Sequence, residues 1–586
     1  MTKKKQSVIE GGLILTLALI IIKLLGWFYR VQLTGVVEPD GYGFYTASYS
    51  FYNLIYSITV MGFPVAMSKI VSQYFTQGRY RDIRNVVKVA ARFFAITGIA
   101  GTLILIILAR PYANTLEDGE FIYWGIIAVA PSIFFCCLMA VYRGFNQGMS
   151  DMVPTAVSQV IEVLVKVAAG FGGAVLVKSL LIAEYEASRT VFGMAMESAQ
   201  RADAHILSFS AAGAMLGITV STVIGYIYLR FRYWRRGDGL TKAQINASVE
   251  PYSDKRILKQ LIMFALPIAL STATVSFTGI IDNGTIPNII ASLMDNPETM
   301  QALVNTNGEI IMQLVDNKEI ERLPMALYGV YNMELTISVL ISTFTSSFGM
   351  SALPLVSAAW ADKNRTETKK NVSVALRITM LIAAPIGFGL CFLGGPISQF
   401  VYGSNSPISA IVGGRMLQML GIAGILTALS AMICSLLQGI GKQWATLILT
   451  AIGLVFKAVS NYTLIAVPQY NINAAPVGSI LCYLFITVAG LVLLVRTTGI
   501  RISAWRVIIK PTMAGAAAGA AGFLVYDVLE SAVSGNTVRL MCAIIAAAVV
   551  YIMALGVLKA IEREDVLSLP GGKKLAGILE KVHIIR

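Results

Sequence analysis

The feature that most constrains this chain is a succession of apolar runs, each long enough to cross a lipid bilayer. An α-helix rises 1.5 Å per residue, so about 20 apolar residues span the hydrocarbon core. Of the 586 residues, 56% are hydrophobic and 13% are charged, which excludes an ordinary soluble globule. Fourteen runs have the required length, at roughly residues 11–33, 43–68, 86–109, 121–142, 152–177, 206–229, 261–285, 328–350, 372–395, 409–437, 444–466, 475–495, 511–529 and 540–558. We therefore predict an all-α polytopic membrane protein with fourteen transmembrane helices.

The basic residues are unevenly distributed between alternate loops. With the N-terminus placed inside, 34 of the 46 Lys and Arg fall in inside segments or adjoining span ends, 7 fall outside and 5 lie within spans. Inside loops of membrane proteins carry the excess of Lys and Arg. The distribution predicts that both termini are cytoplasmic. It also accounts for the net charge of +14 without a nucleic-acid partner.

The two halves of the chain repeat each other. Three sequence pairs share an offset of 285 residues, namely Val71–Ser72 with Val356–Ser357, Arg92 with Arg377, and Pro111 with Pro396. Six spans per half return the chain to the same side of the membrane, which is typical of parallel repeats. We predict two six-helix lobes followed by two additional C-terminal helices.

This organisation gives five predicted parts. They are an N-lobe at 1–237, a basic cytoplasmic linker at 238–260, a C-lobe at 261–500, spans 13 and 14 at 501–560, and a cytoplasmic tail at 561–586.

Besides Lys88, Arg92 and Arg377 near the inner ends of spans 3 and 9, five cations lie inside predicted spans: Lys23, Arg30, Lys166, Arg415 and Lys457. A cation at the centre of a spanning helix costs about 3 kcal/mol on insertion scales, and such charges usually face a bundle interior or a water-filled cavity. Lys23 and Arg30 are seven residues apart and point from nearly the same helix face. We therefore predict a cationic chamber between the two lobes.

Several of these cations have a structural alternative. Glu162 precedes Lys166 by four residues, which favours an intrahelical ion pair. Lys457 could extend its ammonium to the membrane interface. Arg30 could instead lie at headgroup level at the outer end of its helix. For Lys23 we find no oppositely charged residue within one helical turn.

Two acidic residues also fall within spans, Asp282 in span 7 and Glu334 in span 8. They could serve as counter-charges for Arg415 or Lys23, or they could bind a coupling cation or a proton. The residues alone leave both alternatives open.

Two further groups of side chains have both a structural and a functional interpretation. Gly515 and Gly519 give span 13 a small-residue face suited to close helix packing. Tyrosines and phenylalanines crowd the start of span 2, where an aromatic belt at the membrane interface is the main expectation. Their inward faces could also stack on sugars.

We find no motif for a metal site, a catalytic nucleophile or a phosphate-binding glycine loop. We therefore expect neither an enzyme nor a bound cofactor. A coupling ion or the membrane potential remains the expected source of energy for a transporter.

Several motifs resemble one family of membrane proteins. Gly41–Tyr45, Gly62–Lys69, Arg143–Gly148 and Val153–Glu162 are similar to the first half of the SpoVB/MurJ-type polysaccharide and lipid II flippases. Leu327–Asn332 and Leu437–Lys442 are similar to the second half. The likeness covers nearly the whole chain, and this family belongs to the multidrug/oligosaccharidyl-lipid/polysaccharide (MOP) exporter superfamily.

The resemblance implies a V of two lobes in the bacterial plasma membrane. Such a protein moves an undecaprenyl-diphosphate-linked saccharide to the outer leaflet by alternating access. Cations of span 1, here Lys23 and Arg30, would bind the diphosphate, and the polyprenyl tail would lie in a groove beside spans 13 and 14. Relatives often carry an Arg early in span 8, where this chain has Tyr331–Glu334. Either Arg415 replaces that Arg, or the headgroup differs.

Two other functions fit the same sequence. One is a drug exporter coupled to Na⁺ or protons through Asp282 and Glu334, and the other is a non-transporting membrane scaffold for envelope synthesis. For the flippase we expect a monomer whose partners are a lipid-linked saccharide, membrane lipids and enzymes of cell-wall synthesis. We assign no function to the long outer loop at 286–327.

Overall fold

A computed structural model describes residues 8–116, 118–307, 322–404, 406–562 and 565. The chain forms two compact units. The first comprises the chain up to Asn288 together with the segment ending at Gly329, and the second comprises the remainder.

The first unit is helical apart from one short hairpin formed by β1 (Thr190–Val191) and β2 (Met194–Ala195). Its helices, in chain order, are α1 (Val8–Thr59), α2 (Phe63–Thr76), α3 (Tyr80–Ala113), α4 (Glu120–Gly148), α5 (Val153–Ser188), α6 (Ala199–Arg236), α7 (Lys242–Asn246) and most of α8 (Asp254–Met294).

The regular secondary-structure elements in the described part of the second unit are all helices. Its helices are α9 (Pro297–Asn307), most of α10 (Leu323–Ala361), α11 (Arg365–Tyr402), α12 (Pro407–Gly439), α13 (Gln443–Ser460), α14 (Ala475–Thr498), α15 (Lys510–Val528) and α16 (Asn536–Leu558). Short π-helical turns extend α13 (Asn461–Ile465) and precede α15 (Trp505–Ile509), and a 3₁₀ turn (Asn471–Ala474) precedes α14.

Thirteen helical stretches in the described residues are long and apolar enough to cross a membrane. They confirm an all-α, multi-pass membrane protein, but they do not confirm the predicted count of fourteen. The difference arises at the start, where the predicted span 43–68 and residues 21–33 of the predicted span 11–33 fall in one stretch, Ile21–Thr76.

A kink in α1 separates these two predicted spans. Glu38 has φ 60° and ψ 174°, and Pro39 follows it. A proline disfavours helical geometry in the residue before it and also lacks an N–H, so helical hydrogen bonding is interrupted here. The Lys178 ammonium of α5 donates to the Val36 carbonyl and to Glu38 Oε1, each at 2.8 Å. One backbone carbonyl next to the kink therefore has a hydrogen-bond partner from α5.

Helix starts preserve the sequence repeat. α3 begins at Tyr80 and α11 begins at Arg365, again 285 residues apart. Pro111 lies inside α3 and Pro396 inside α11, as the offset requires.

Glycines bring α5 and α6 into backbone contact. A Cβ atom added to Gly173 would lie 2.8 Å from the Gly213 carbonyl oxygen, and one added to Gly217 would lie 2.3 Å from Gly170 Cα. Both distances are below any real Cβ contact, so neither position tolerates a side chain without moving a helix. Small residues at such spacing allow close helix packing in membranes.

The basic linker packs against the turn between α2 and α3. Asp82 is fully buried and accepts hydrogen bonds from the Tyr252 backbone N–H at 2.6 Å and from Arg79 Nε at 2.7 Å. The Arg79 guanidinium also stacks 3.4 Å from the centroid of the Tyr252 ring. The linker is thereby fixed to the first unit.

Candidate substrate-binding residues

Two cations of the first unit meet at one aromatic ring. The Arg30 guanidinium carbon lies 5.4 Å from the centroid of the Tyr49 ring, and Lys166 Nζ lies 5.6 Å from the same centroid. Lys166 Nζ is also 5.5 Å from the centroid of the Tyr29 ring. The kink in α1 allows both halves of that helix to contribute, because Arg30 precedes it and Tyr49 follows it. Cations are attracted to aromatic faces at these distances.

Glu162 pairs with a residue other than the expected one. Arg143 Nη2 lies 2.6 Å from Glu162 Oε2, and Arg143 Nε donates to Ser158 Oγ at 3.1 Å. The alternative of a Glu162–Lys166 ion pair is therefore wrong. In the part of the chain that the structure describes, no carboxylate lies within ion-pair distance of Lys166 or Arg30. Both half-buried cations are thus available to an anion.

Tyrosines follow the cations along the second half of α1. Tyr42, Tyr45, Tyr49, Tyr52 and Tyr56 recur every three or four residues, and we call them the tyrosine ladder. Consecutive ring centroids are 5.6 to 6.1 Å apart. Tyr42 and Tyr45 are each only 1% exposed and Tyr52 is 5% exposed. Tyr42, Tyr45 and Tyr52 therefore pack inside the first unit, which contradicts the expected interfacial aromatic belt for these three, whereas Tyr49 and Tyr56 are half-buried.

Lys23 has different surroundings from Arg30. Its side chain is exposed, and it has no ion-pair partner among the described residues. Three residues past Arg30, Leu33 is fully buried. The shared face predicted for Lys23 and Arg30 thus runs from an exposed to a buried part of α1.

In the second unit, Lys457 is buried and 1% exposed. Its Nζ donates to Ser479 Oγ at 3.1 Å, and that hydroxyl is 3.3 Å from the Tyr331 hydroxyl. Arg415 is exposed, and its Nη1 donates to the Thr306 carbonyl at 3.4 Å. Lys457 is thus enclosed by polar protein groups, whereas Arg415 is open to its surroundings.

Asp282 is buried in the first unit, next to a polar junction centred on Asn283. Asn283 Nδ2 donates to the Ala47 carbonyl at 3.1 Å and to the Tyr112 hydroxyl at 2.9 Å, and the Tyr328 hydroxyl donates to Asn283 Oδ1. This junction ties α1, α3, α8 and the start of α10 together. Asp282 therefore lies next to the residue through which four helices are connected by hydrogen bonds.

Glu334 is fully buried in the second unit. The Ser398 hydroxyl donates to Glu334 Oε1 at 2.5 Å, and Gly413 leaves space for this carboxyl, since a Cβ there would lie 2.2 Å from Oε1. No described group hydrogen-bonds to Oε2.

Gly515 and Gly519 bring α15 against α11. A Cβ at Gly515 would lie 2.7 Å from the Ala384 carbonyl carbon, and one at Gly519 would lie 2.8 Å from the Phe388 carbonyl oxygen. Hydrogen bonds from Asn536 to the Pro396 carbonyl (3.1 Å) and from the Tyr551 hydroxyl to the Leu381 carbonyl (2.6 Å) add α16 to this contact.

Sequence reasoning missed two partners of the candidate residues, Arg143 for Glu162 and Ser398 for Glu334. Arg143 belongs to the motif Arg143–Gly148. However, no sequence pattern predicts a contact between residues that lie 19 positions apart on different helices. Ser398 has no distinguishing pattern at all, and only the packing of α10 against α11 reveals its role.

Comparisons with known proteins agree with this architecture. Residues 8–198 match the family described as "Polysaccharide biosynthesis protein", and residues 299–463 match the MatE family. The lipid II flippase MurJ of Bacillus subtilis (strain 168) is 24% identical over 518 residues, which is 87% of this chain and 86% of that protein.

Two solved structures share the fold. The lipid II flippase MurJ in an inward closed conformation aligns with a TM-score of 0.60 and 12% identity, covering 93% of this chain and 98% of that one. An inward-facing multidrug resistance MATE family transporter of the MOP superfamily aligns with a TM-score of 0.58 and 15% identity, covering 83% of this chain and 99% of that one. The two family matches lie in opposite halves of the chain, and both solved structures cover most of it. The chain therefore shares the fold of these transporters, and it is similar to the lipid II flippase MurJ in both sequence and structure.

Proposed function

We propose that this transporter is a flippase for a lipid-linked cell-wall precursor, an undecaprenyl-diphosphate-linked saccharide such as lipid II. The observation that carries the proposal is the convergence of Arg30 and Lys166 on Tyr49, with no carboxylate pairing with either cation among the described residues. The 24% identity to the lipid II flippase MurJ over most of both chains supports the same substrate class.

The charge balance favours a diphosphate. Two cations held near one ring repel each other, and an anion carrying more than one negative charge relieves that repulsion. Charge-assisted hydrogen bonds from Arg and Lys to phosphate are roughly twice as strong as neutral ones. Away from bulk water the effective dielectric constant is lower, so the same ionic contacts contribute more.

The tyrosine ladder suits the saccharide portion of such a substrate. Tyrosine rings offer apolar faces for sugar rings, and each hydroxyl can donate or accept a hydrogen bond. The Tyr29 and Tyr45 hydroxyls are both buried. Tyr49, the ring shared by the cations, is the middle member of the ladder, so a headgroup bound there would meet both groups.

The polyprenyl tail requires a different surface. Its apolar area is better kept in hydrocarbon than brought among cations. We assign the tail to the face of α15 and α16, the two helices outside the repeat, where Ile545 is 64% exposed and Val557 is 83% exposed. Lys23, exposed on α1, would contact the headgroup as it enters from the cytoplasmic side, where we place both termini.

Depletion of the protein tests the proposal. In a strain that depends on it, depletion should cause one lipid-linked saccharide to accumulate in the inner leaflet, identified by mass spectrometry of extracted lipids. Re-expression of the wild-type chain should clear the intermediate, whereas an Arg30→Ala chain should not. Unchanged lipid-linked intermediates together with altered sensitivity to a soluble drug would instead identify a drug exporter. No change in either quantity would favour the scaffold.

A further inference from the structure

Glu334 is a carboxyl group within a span that has no cation paired with it among the described residues. Its side chain is 0% exposed, and one oxygen accepts a hydrogen bond from Ser398. The other oxygen has no hydrogen-bond partner among the described residues. By contrast, Glu162 has both an Arg143 partner and a partly exposed side chain.

The helices in contact with Glu334 provide no nearby positive charge. Glu334 is the single charged residue in the sequence of α10, and Arg415 is the single one in that of α12. The Arg415 side chain is exposed and donates to the Thr306 carbonyl. On α11, every charged residue precedes Ser398 by 21 positions or more, which is about 30 Å along a helix.

The remaining titratable groups near Glu334 are tyrosines with other hydrogen bonds. The Tyr402 hydroxyl of α11 donates to the Met333 carbonyl at 2.8 Å, and the Tyr331 hydroxyl is 3.3 Å from Ser479 Oγ. Neither hydroxyl neutralises a carboxylate.

An ionised carboxyl enclosed in this way would be an uncompensated buried charge. Such a charge is far more costly than a buried neutral group, and in practice the group takes up a proton instead. One donated hydrogen bond from a neutral serine does not compensate the charge. We propose that Glu334 is a proton-binding site, protonated in the conformation described here.

The site lies where three helices meet, since Glu334 on α10 contacts Ser398 on α11 and the backbone at Gly413 on α12. Separation of these helices would admit water and release the proton from an Oε atom, and their closure would require its return. This step links proton uptake to helix packing. It rests on the proposed transport function, whereas the proton site itself does not.

Infrared spectroscopy of the purified full-length chain tests the site directly. A protonated carboxylic acid gives a C=O stretching band that a carboxylate lacks and that shifts in D₂O. At neutral pH the wild-type chain should show this band, and Glu334→Gln should lose it. Glu162→Gln, which changes a paired carboxylate within a span, should keep it. Ser398→Ala should also keep the band but move it to higher frequency, because a hydrogen bond to the carbonyl is removed.

A band that persists in Glu334→Gln would overturn the proposal. So would a wild-type band that disappears when Na⁺ or K⁺ is added at constant pH, because the carboxyl would then bind a metal cation. Gln has nearly the same shape as a protonated Glu, so Glu334→Gln should fold. The coupling step predicts that its transport rate no longer varies with pH. Arg30→Ala should lower the transport rate but keep the infrared band, which separates failure of the site from failure of the proposed function.

Discussion

Arg143 Nη2 lies 2.6 Å from Glu162 Oε2, so the carboxylate one helical turn from Lys166 is already paired. The Arg143 and Glu162 side chains are 13% and 26% exposed. Glu162 therefore forms its ion pair with Arg143 and not with Lys166. A contact between α4 and α5 thereby determines the charge available at the Tyr49 ring.

Arg30→Ala and Lys166→Ala should each lower the transport rate about 10- to 100-fold, since a hydrogen bond to a charged group contributes about 1.5–3 kcal/mol. Measurement of flipping in vesicles with equal amounts of inserted protein would check this. Arg110→Ala is the matched control, because Arg110 lies 5.6 Å from the Tyr123 ring centroid but is exposed. Wild-type rates in both cation variants would contradict the proposed headgroup site.

Arg143→Leu and Glu162→Leu should each destabilise the protein by about 3 kcal/mol, because each leaves a poorly solvated charge unpaired. The double variant should be more stable than either single variant. Thermal unfolding in detergent would show this as a higher Tm for the double variant. Additive losses in the double-mutant cycle would mean that the two residues do not interact energetically.

Arg377→Ala should be far more destabilising than Arg92→Ala, although the two arginines occupy equivalent positions of the repeat. The Arg377 side chain is 3% exposed and lies 2.7 Å from both Glu562 and Asp565. Breaking a buried pair of this kind costs about 3–5 kcal/mol. Arg92 lies 3.9 Å from Asp254 with both side chains largely exposed, so its loss should cost about 0–1 kcal/mol. Equal Tm values for the two variants would refute this difference.

Gly515→Ala and Gly519→Ala should lower the Tm because each new Cβ meets the backbone of α11. Gly389→Ala, on α11 itself, is the control, since a Cβ there has nothing within 4 Å. Larger residues at 515 and 519 should also reduce transport of a lipid-linked substrate beyond the loss of protein. If protein amount and transport fall in strict proportion, these glycines serve helix packing alone.

A photo-crosslinking residue at Ile545 of α16 should capture polyprenyl lipid. The matched control is Ile107 of α3, because these side chains are 64% and 67% exposed. Cross-linked lipid can be identified by mass spectrometry after the protein is digested. Equal labelling at the two positions would mean that α16 has no groove for the tail.

Much of the architecture could be predicted because membrane helices need long apolar runs, and charges within such runs are conspicuous. That reasoning located Arg30 and Lys166. It could not place both at Tyr49, since helix rotation depends on side chains that pack far apart in sequence. The fourteen predicted spans and the thirteen stretches of the structure differ around Glu38. Here Pro39 interrupts the helix, but no long polar loop separates its two halves.

Local pairing rules failed for a related reason. A spacing of four residues favours Glu162 with Lys166, but the alternative partner Arg143 arrives on another helix and forms a charge-assisted contact. The expected aromatic belt was wrong because tyrosine suits both a membrane interface and a buried polar interior. Side-chain type alone does not distinguish these environments.

The backbone contact between α5 and α6 has a consequence for the position of a charge. Gly170, one helical turn beyond Lys166, faces Gly217 on one side, and a Cβ added to it would lie 2.5 Å from the Tyr29 hydroxyl. A single methyl group at this position would therefore push on α6 and on the tyrosine whose ring lies beside the Lys166 ammonium. Because Gly170 has no side chain, Tyr29 can lie close to α5, and this position sets the distance between the Tyr29 ring and the Lys166 ammonium. Gly170→Ala adds no charge and no polar atom, yet it would change the position of the Lys166 charge relative to a bound substrate.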